Sequence, residues 1–279
     1  MHQLRNPHSV LAAFDRRPGA VVEVRLAARN PDGAWREVAE RAAAAGVPVL
    51  SGVGREREAR TRLRRGSPAS QGAGRERVES IGGPRPSPGP SLEGRGASGR
   101  AGAAGQALVK EHEAVSLDEL FAGVDPAATS GLWLALEHIQ DPHNVGAVFR
   151  TAAFFGVRGI VVTRDRSAPL NATVYDVASG GIEYVPFAVQ TNLARALDLA
   201  KERGLWTLGA AEESATDVAQ VPRDRPWLLV LGNEEDGLRR LTREKCDMAC
   251  RVTSRGPIGS LNVSVAAGVL MAALAGAVS

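Results

Sequence analysis

Residues 227–238 read WLLVLGNEEDGL. Five apolar residues in a row, with no polar alternation, describe a strand covered on both faces, as a parallel strand buried under helices is. A glycine-bracketed acidic loop follows at once. Outward from this stretch, short apolar runs alternate with helical ones across the second half of the chain. Strands are expected at 132–136, 160–163, 183–187, 205–209, 227–231 and 249–252. Helices are expected near 145–155, 170–178, 192–203 and 238–246, with a last one at about 262–276. Asn192 stands where an N-cap belongs and Gly204 just past that helix's end. Such alternation predicts an open α/β sheet, whose ligand crevice lies beyond the C-terminal ends of its strands.

The first half reads differently. A helix near 9–16, a strand at 21–27, an Ala-rich helix at 34–45 closed by Gly46 and a strand at 47–50 precede an abrupt change of composition. Residues 55–100 hold eleven Arg against five Glu, with nine Gly, five Pro and six Ser and no apolar periodicity. A segment of this kind buries too little apolar surface to offset its ordering entropy, so an insert at 55–104 is predicted to be disordered. Its net charge of +6 leaves −3 for the rest of a chain that sums to +3, so the basic balance belongs to the insert. Two readings stay open for it: a solvated linker, or an arm that grips phosphate by counterion release. Beyond it, a strand at 107–111 and a helix opened by the capping box Ser116-Leu-Asp-Glu119 complete one small α/β domain split by the insert.

Composition sets further bounds. A chain of 279 residues with 44% hydrophobic content supports two globular domains. An aromatic content of 4% argues against a surface that works by stacking many bases. Cys246 and Cys250 are too few for a disulfide framework and lack the partners of a zinc site, so both are expected as buried small hydrophobes and no metal is expected. The opening MHQLRNPHSVLAAF does not read as a signal peptide. The apolar run 261–278 is broken by Asn262 and Ser264 and reads as a buried helix rather than a membrane span, which fits a cytoplasmic enzyme or binding protein.

Three segments fall at strand-to-helix junctions, where a crevice would form. In LEHIQDPHNVGAVFRTAAFFG, 136–156, Val145, Val148, Phe149 and Ala152 make the core stripe and Arg150 stands beside it. A guanidinium there suits a phosphate or ribose oxygen, or else a neighbouring carboxylate. LVLGNEEDGL, 229–238, lacks the Lys and Ser or Thr of a P-loop, and Glu234, Glu235 and Asp236 would repel a triphosphate. They suit a cationic ligand, or simply cap the following helix through its dipole. In GPIGSLNVSVAAGVL, 256–270, Ser260 and Asn262 can each cap the last helix or point into the crevice. The stretch VPVLSGVGRER, 47–57, is rejected as a dinucleotide fingerprint because Arg57 stands where the third Gly belongs.

Taken in order, these three segments resemble the three motifs of the SpoU-type, or TrmH-like, RNA ribose 2'-O-methyltransferases of the SPOUT class. The resemblance spans about residues 130–276, includes RDRSAPLNATVYDVASGGIEYVPF, and is strongest toward bacterial enzymes acting on guanosine in large-subunit (23S) ribosomal RNA. It implies a methyltransferase domain at 130–279 with a parallel sheet and a deep trefoil knot, S-adenosylmethionine as cofactor, and a homodimer. It also implies that residues 1–54 and 105–122 form a small RNA substrate-binding domain. Matched residue by residue, it implies catalytic roles for Asn144, Arg150, Glu234, Ser260 and Asn262. Gly232, Val252 and Leu261 would contact the cofactor, with Gly209 and Ala210 as further candidates. The chain departs from the family pattern at Glu235, where Gly is usual, and at Thr253 and Ser254, where a Pro-Met pair is usual.

A guanidinium donates hydrogen bonds and accepts none, so Arg150 is expected to hold the adjacent phosphate and stabilise the developing alkoxide rather than to act as a base. Glu234 and Asn144 would orient it and the cofactor loop. Two other functions fit the same pattern: the same chemistry on transfer RNA, and a non-catalytic RNA-binding or ribosome-assembly protein.

Overall fold

The structure, a computed structural model, describes residues 1–28, 30–31, 33–51, 104–233 and 235–276. All of the predicted insert except residue 104 lies outside these residues, as does Glu234.

The N-terminal part is built from β1 (His2–Leu4), α1 (Pro7–Arg16), β2 (Val21–Leu26), α2 (Ala34–Ala44), β3 (Val49–Ser51) and β4 (Gly105–Val109), followed by the short α3 (Leu117–Leu120). Its sheet runs β1-β4-β2-β3, with β4 antiparallel to both neighbours and β2 parallel to β3. Asn6 caps α1 and Pro7 occupies its first turn, where a missing N–H costs nothing. Ser116 and Glu119 close the expected capping box on α3.

The second part carries six parallel strands, β5 (Leu132–Leu136), β6 (Ile160–Thr163), β7 (Phe187–Gln190), β8 (Trp206–Ala210), β9 (Trp227–Leu231) and β10 (Met248–Cys250), ordered β10-β8-β9-β5-β6-β7. Between and after them lie α4 (Pro142–Phe154), α5 (Ala172–Ala178), α6 (Gly181–Tyr184), α7 (Leu193–Glu202), α8 (Arg240–Lys245) and α9 (Val263–Leu274). The expected parallel α/β sheet is therefore present. Every residue of β5 and of β9 is buried, and their side chains divide between two cores. Leu132, Leu134, Leu136, Trp227, Leu229 and Leu231 face the layer of α4 and α9, while Trp133, Ala135, Leu228 and Val230 face that of α3 and α7. Burying each such large side chain contributes about 1.5–3 kcal/mol.

One expected strand is displaced. Residues 183–187 do not pair as such: α6 occupies Gly181–Tyr184 and the strand begins at Phe187. Pro186 has no N–H to give an interior ladder, so the strand starts after it. The left-handed Ser179 and Gly180, with φ of 49° and 95°, end α5 and turn the chain into α6.

The two sheets share one apolar core, in which Val10, Phe14 and Val24 join Val145, Tyr175 and Ile182. Polar contacts reinforce the seam. The Ser9 hydroxyl donates to the Tyr175 carbonyl at 2.6 Å, and the backbone N–H of Asn6 donates to Asp176 at 2.9 Å. Arg17 forms a two-pronged ion pair with buried Glu183 through bonds of 2.7 Å each. Among the described residues, no helix is long and apolar enough to cross a membrane.

Burial pushes the Cys250 thiol up from 9.0 to about 12 and, outweighing a hydrogen bond from His112, the Tyr175 phenol from 10.0 to about 12. Both groups ionise more readily in the unfolded chain. The stability they contribute is thus complete below pH 9.0 and lost as pH rises toward about 12. The melting temperature followed by circular dichroism should fall through that window, and Cys250→Ala should flatten part of the fall; an identical slope in the variant would refute this assignment.

Candidate active site

The polar residues gather where the buried strands end. Glu137 directly follows β5 and is itself buried. One of its carboxylate oxygens accepts the backbone N–H of Arg239 at 2.9 Å and the other accepts the Thr242 hydroxyl, so it caps α8, whose own N-cap side chain makes no such bond. His138 follows with φ of 57°, a left-handed backbone that costs a β-carbon residue some strain. Its N–H donates to the Thr163 hydroxyl at 2.8 Å, and its carbonyl accepts from Asn233 Nδ2 at 2.8 Å. Asn233 in turn accepts the backbone N–H groups of Glu235 and Asp236 at 2.8 and 3.3 Å, an Asx turn that shapes the acidic loop.

That loop closes on itself. Asn233 and Gly237 exchange two backbone hydrogen bonds of 3.0 Å. A Cβ on Gly232 would stand 2.2 Å from the Gly237 carbonyl carbon, so glycine is required there by loop closure itself. Gly209 is similarly confined, by Leu238 at 2.9 Å and Cys246 at 3.3 Å, and Ala210 packs at the edge of the core. Cys250 is buried as expected, and Cys246 is half-buried with its thiol donating to the Thr242 carbonyl.

At the first junction, Asp141 caps α4 and Asn144 sits buried in its first turn. Asn144 Oδ1 accepts from Asn262 Nδ2 at 3.0 Å, joining residues 118 positions apart. Asn262 also caps α9 by accepting the Ser264 N–H at 2.9 Å, so one side chain both caps the helix and reaches Asn144. Ser260 and Leu261 are exposed just before it, and Val252 is half-buried against the core. The connection from β10 folds on itself through the Ser254 hydroxyl, which donates to the Ile258 carbonyl at 2.6 Å.

The structure thus brings Asn144, Asn262, Gly232, Val252 and Leu261 to one end of the sheet. Arg150 stands apart from that pair. It lies six residues along α4 from Asn144, roughly 9 Å along the axis, and is exposed where Asn144 is buried. Glu137, His138 and Asn233 shape this end of the sheet without having been singled out in the sequence. The signal for Glu137 was present, as the first polar residue after five apolar ones; nothing local marked His138. Among the described residues, no group of three or more His, Cys, Asp or Glu is placed to hold a metal ion.

A parallel sheet of this order, with its three polar segments at the C-terminal ends of β5, β9 and β10, defines a class. The SpoU rRNA Methylase family is matched over residues 131–272, just over half of the chain, and the chain belongs to that family. It is similar to the 23S rRNA (guanosine-2'-O-)-methyltransferase RlmB of Nitrosomonas europaea, 44% identical over 164 residues, which are 59% of this chain and 62% of that protein. The protein of the same name from Pseudomonas aeruginosa is 49% identical over 140 residues, 50% of this chain and 56% of its own length. The match thus spans less than two thirds of either relative. In fold the chain is similar to the SpoU methyltransferase AviRb from Streptomyces viridochromogenes, solved in complex with the cofactor AdoMet. That likeness has a TM-score of 0.68 at 18% identity and covers 99% of this chain and 89% of that one.

Because Asn262 both caps α9 and reaches Asn144, the two roles separate by substitution. Asn262→Ala should cost about 1 kcal/mol in urea unfolding through the lost cap, while Asn262→Ser, which keeps a capping oxygen, should cost only a few tenths. Equal losses would show that capping is not what Asn262 contributes to stability.

Proposed function

We propose that the chain transfers the methyl group of S-adenosylmethionine to a ribose 2'-hydroxyl of RNA, its substrate a guanosine of large-subunit (23S) ribosomal RNA, and that it does so as a cytoplasmic homodimer. The observation that carries this reading is the hydrogen bond between Asn144 and Asn262, which ties the first and third motifs together at the mouth of the sheet. Membership of the SpoU rRNA Methylase family and the names of the relatives support the reaction and the substrate.

The residues present fit the cofactor. Exposed Leu261 and Ile258 offer an apolar surface suited to an adenine ring, and the acidic loop through Glu235 and Asp236 suits a sulfonium cation. Gly232, Val252 and Leu261 would hold the cofactor, with Gly209 and Ala210 beside them; when bound it supplies an electrophilic methyl group. Everything else falls to the chain's own side chains. Asn144 and Asn262 fix each other across the site, Ser260 stands beside them at the entrance, and Arg150 donates to the phosphate and the developing alkoxide. Glu234 is assigned its orienting role from the motif alone. We infer too that the return of the chain from β10, at one edge of the sheet, to α9 against α4 threads the knot that this family's fold implies.

The homodimer rests on α9. Val265 and Val269 stand four residues apart on it, and each is more than a third exposed. An aliphatic stripe of that kind wants a partner, and a second copy supplies one.

Mapping 2'-O-methylation of ribosomal RNA from cells with and without this protein tests the reaction: one guanosine should lose its mark. In the purified protein, Arg150→Ala should lower turnover by about a hundredfold or more, as loss of a preorganised donor does, while calorimetric affinity for S-adenosylmethionine changes little. Near-normal turnover would make Arg150 a bystander.

A further inference from the structure

Arg150 borders a groove that the three motifs do not account for. It has a volume of 510 Å3 and runs between α4 and α6, with Arg150, Phe154, Phe155 and Ser179 on its walls and Tyr184 opposite. Arg150 and Phe154 are four residues apart on α4 and so share a face. Gly181 makes the approach possible: a Cβ there would lie 2.6 Å from the Phe149 carbonyl oxygen, so only glycine lets α6 press onto α4 and carry Tyr184 to the groove.

The groove concentrates a scarce resource. Among the described residues only three aromatic side chains are exposed, and two of them, Phe154 at 82% and Tyr184 at 48%, are here. The third, Trp206, lies beneath Arg225 at 4.3 Å. Phe154 is braced edge-on by Phe155, with ring centroids 5.0 Å apart. Arg16 lies over the Tyr184 ring at 5.9 Å, and the Tyr184 hydroxyl donates to Asp15 at 3.1 Å. Asp15 is engaged by Arg41 as well, which also reaches Glu37 at 3.3 Å. Arg16 and Arg150 pair with no carboxylate among the described residues. What the groove offers is the open ring of Phe154, with Tyr184 opposite beneath Arg16, and two arginines without a carboxylate partner among the described residues.

We propose that this groove is a nucleotide subsite: a base of single-stranded RNA next to the reacting ribose stacks between Phe154 and Tyr184, and its phosphates lie against Arg150 and Arg16. The proposal rests on the RNA methyltransferase reading and adds to it the place where substrate is held. Aromatic faces combined with arginines are how single-stranded RNA is gripped without sequence readout. A scarcity of aromatic residues rules out a long stacking platform and leaves room for one of this size. The competing occupant is a second copy of the chain, but the aliphatic stripe of α9 carries no charge and suits a copy better, whereas cations flanking rings suit a polyanion.

The test uses the full chain and a short single-stranded RNA carrying 2-aminopurine, whose fluorescence is quenched on stacking. Wild type should bind and quench it. Phe154→Ala should weaken binding by roughly tenfold and abolish the quenching, and Phe154→Trp should restore both. The solution mass and calorimetric affinity for S-adenosylmethionine should stay as in wild type. Unchanged quenching in Phe154→Ala would overturn the subsite while leaving the methyltransferase reading intact. A change of mass would assign the groove to self-association and overturn it too. Failure of the wild type to bind any RNA would overturn the subsite and the substrate reading together.

Discussion

Two adjacent parallel strands, β5 and β9, pair residue for residue over Leu132 to Leu136 with no side chain left to solvent. Apolar layers on both faces forbid polar chemistry along the strands, so polar groups must collect where the strands stop. Glu137 is the first to do so. A carboxylate buried at that point needs donors, and it finds them on the far side of the acidic loop, at Arg239 and Thr242. The end of one central strand thereby fixes the helix that follows the other.

His138 and Asn233 continue the same stitching one residue further on. Each sits at the first turn of its loop, and the bond from Asn233 to the His138 carbonyl spans 95 positions of sequence. Asn233 uses its remaining oxygen to fold the acidic loop, so the loop's shape is held from both ends by the strand pair. A loop so held is preorganised, which is what a site gains when charge must be met without reorganisation. The rigidity comes from the sheet rather than from the loop's own residues.

The six strands of the large sheet were legible because burial on both faces writes itself as unbroken apolar runs, and all but one fell within two residues of expectation. The exception, expected at 183–187, begins only at Phe187, because Pro186 has no N–H for an interior ladder and Gly181–Tyr184 are helical. β1 left no trace, since three residues, His2 to Leu4, carry no period and become a strand only by pairing with Ala107 to Val109. The motifs gave Asn144 and Asn262 individually, the second with an ordinary capping explanation. Their bond is a product of the strand order, which no local pattern encodes.

The groove beside Arg150 is shaped by both parts of the chain. α6 is a single turn, too short to hold a position by its own hydrogen bonds. It carries Glu183 inward to Arg17 and Tyr184 outward to Asp15, and both of those partners come from the α1 region. One wall of the groove is therefore α4, and the other is held in place by the N-terminal part. Loosening Arg17 from Glu183 would free the ring that faces Arg150 without touching a motif residue. The part of the chain that lies outside the family match thus has a physical route to the groove beside Arg150, through one buried ion pair and one turn of helix.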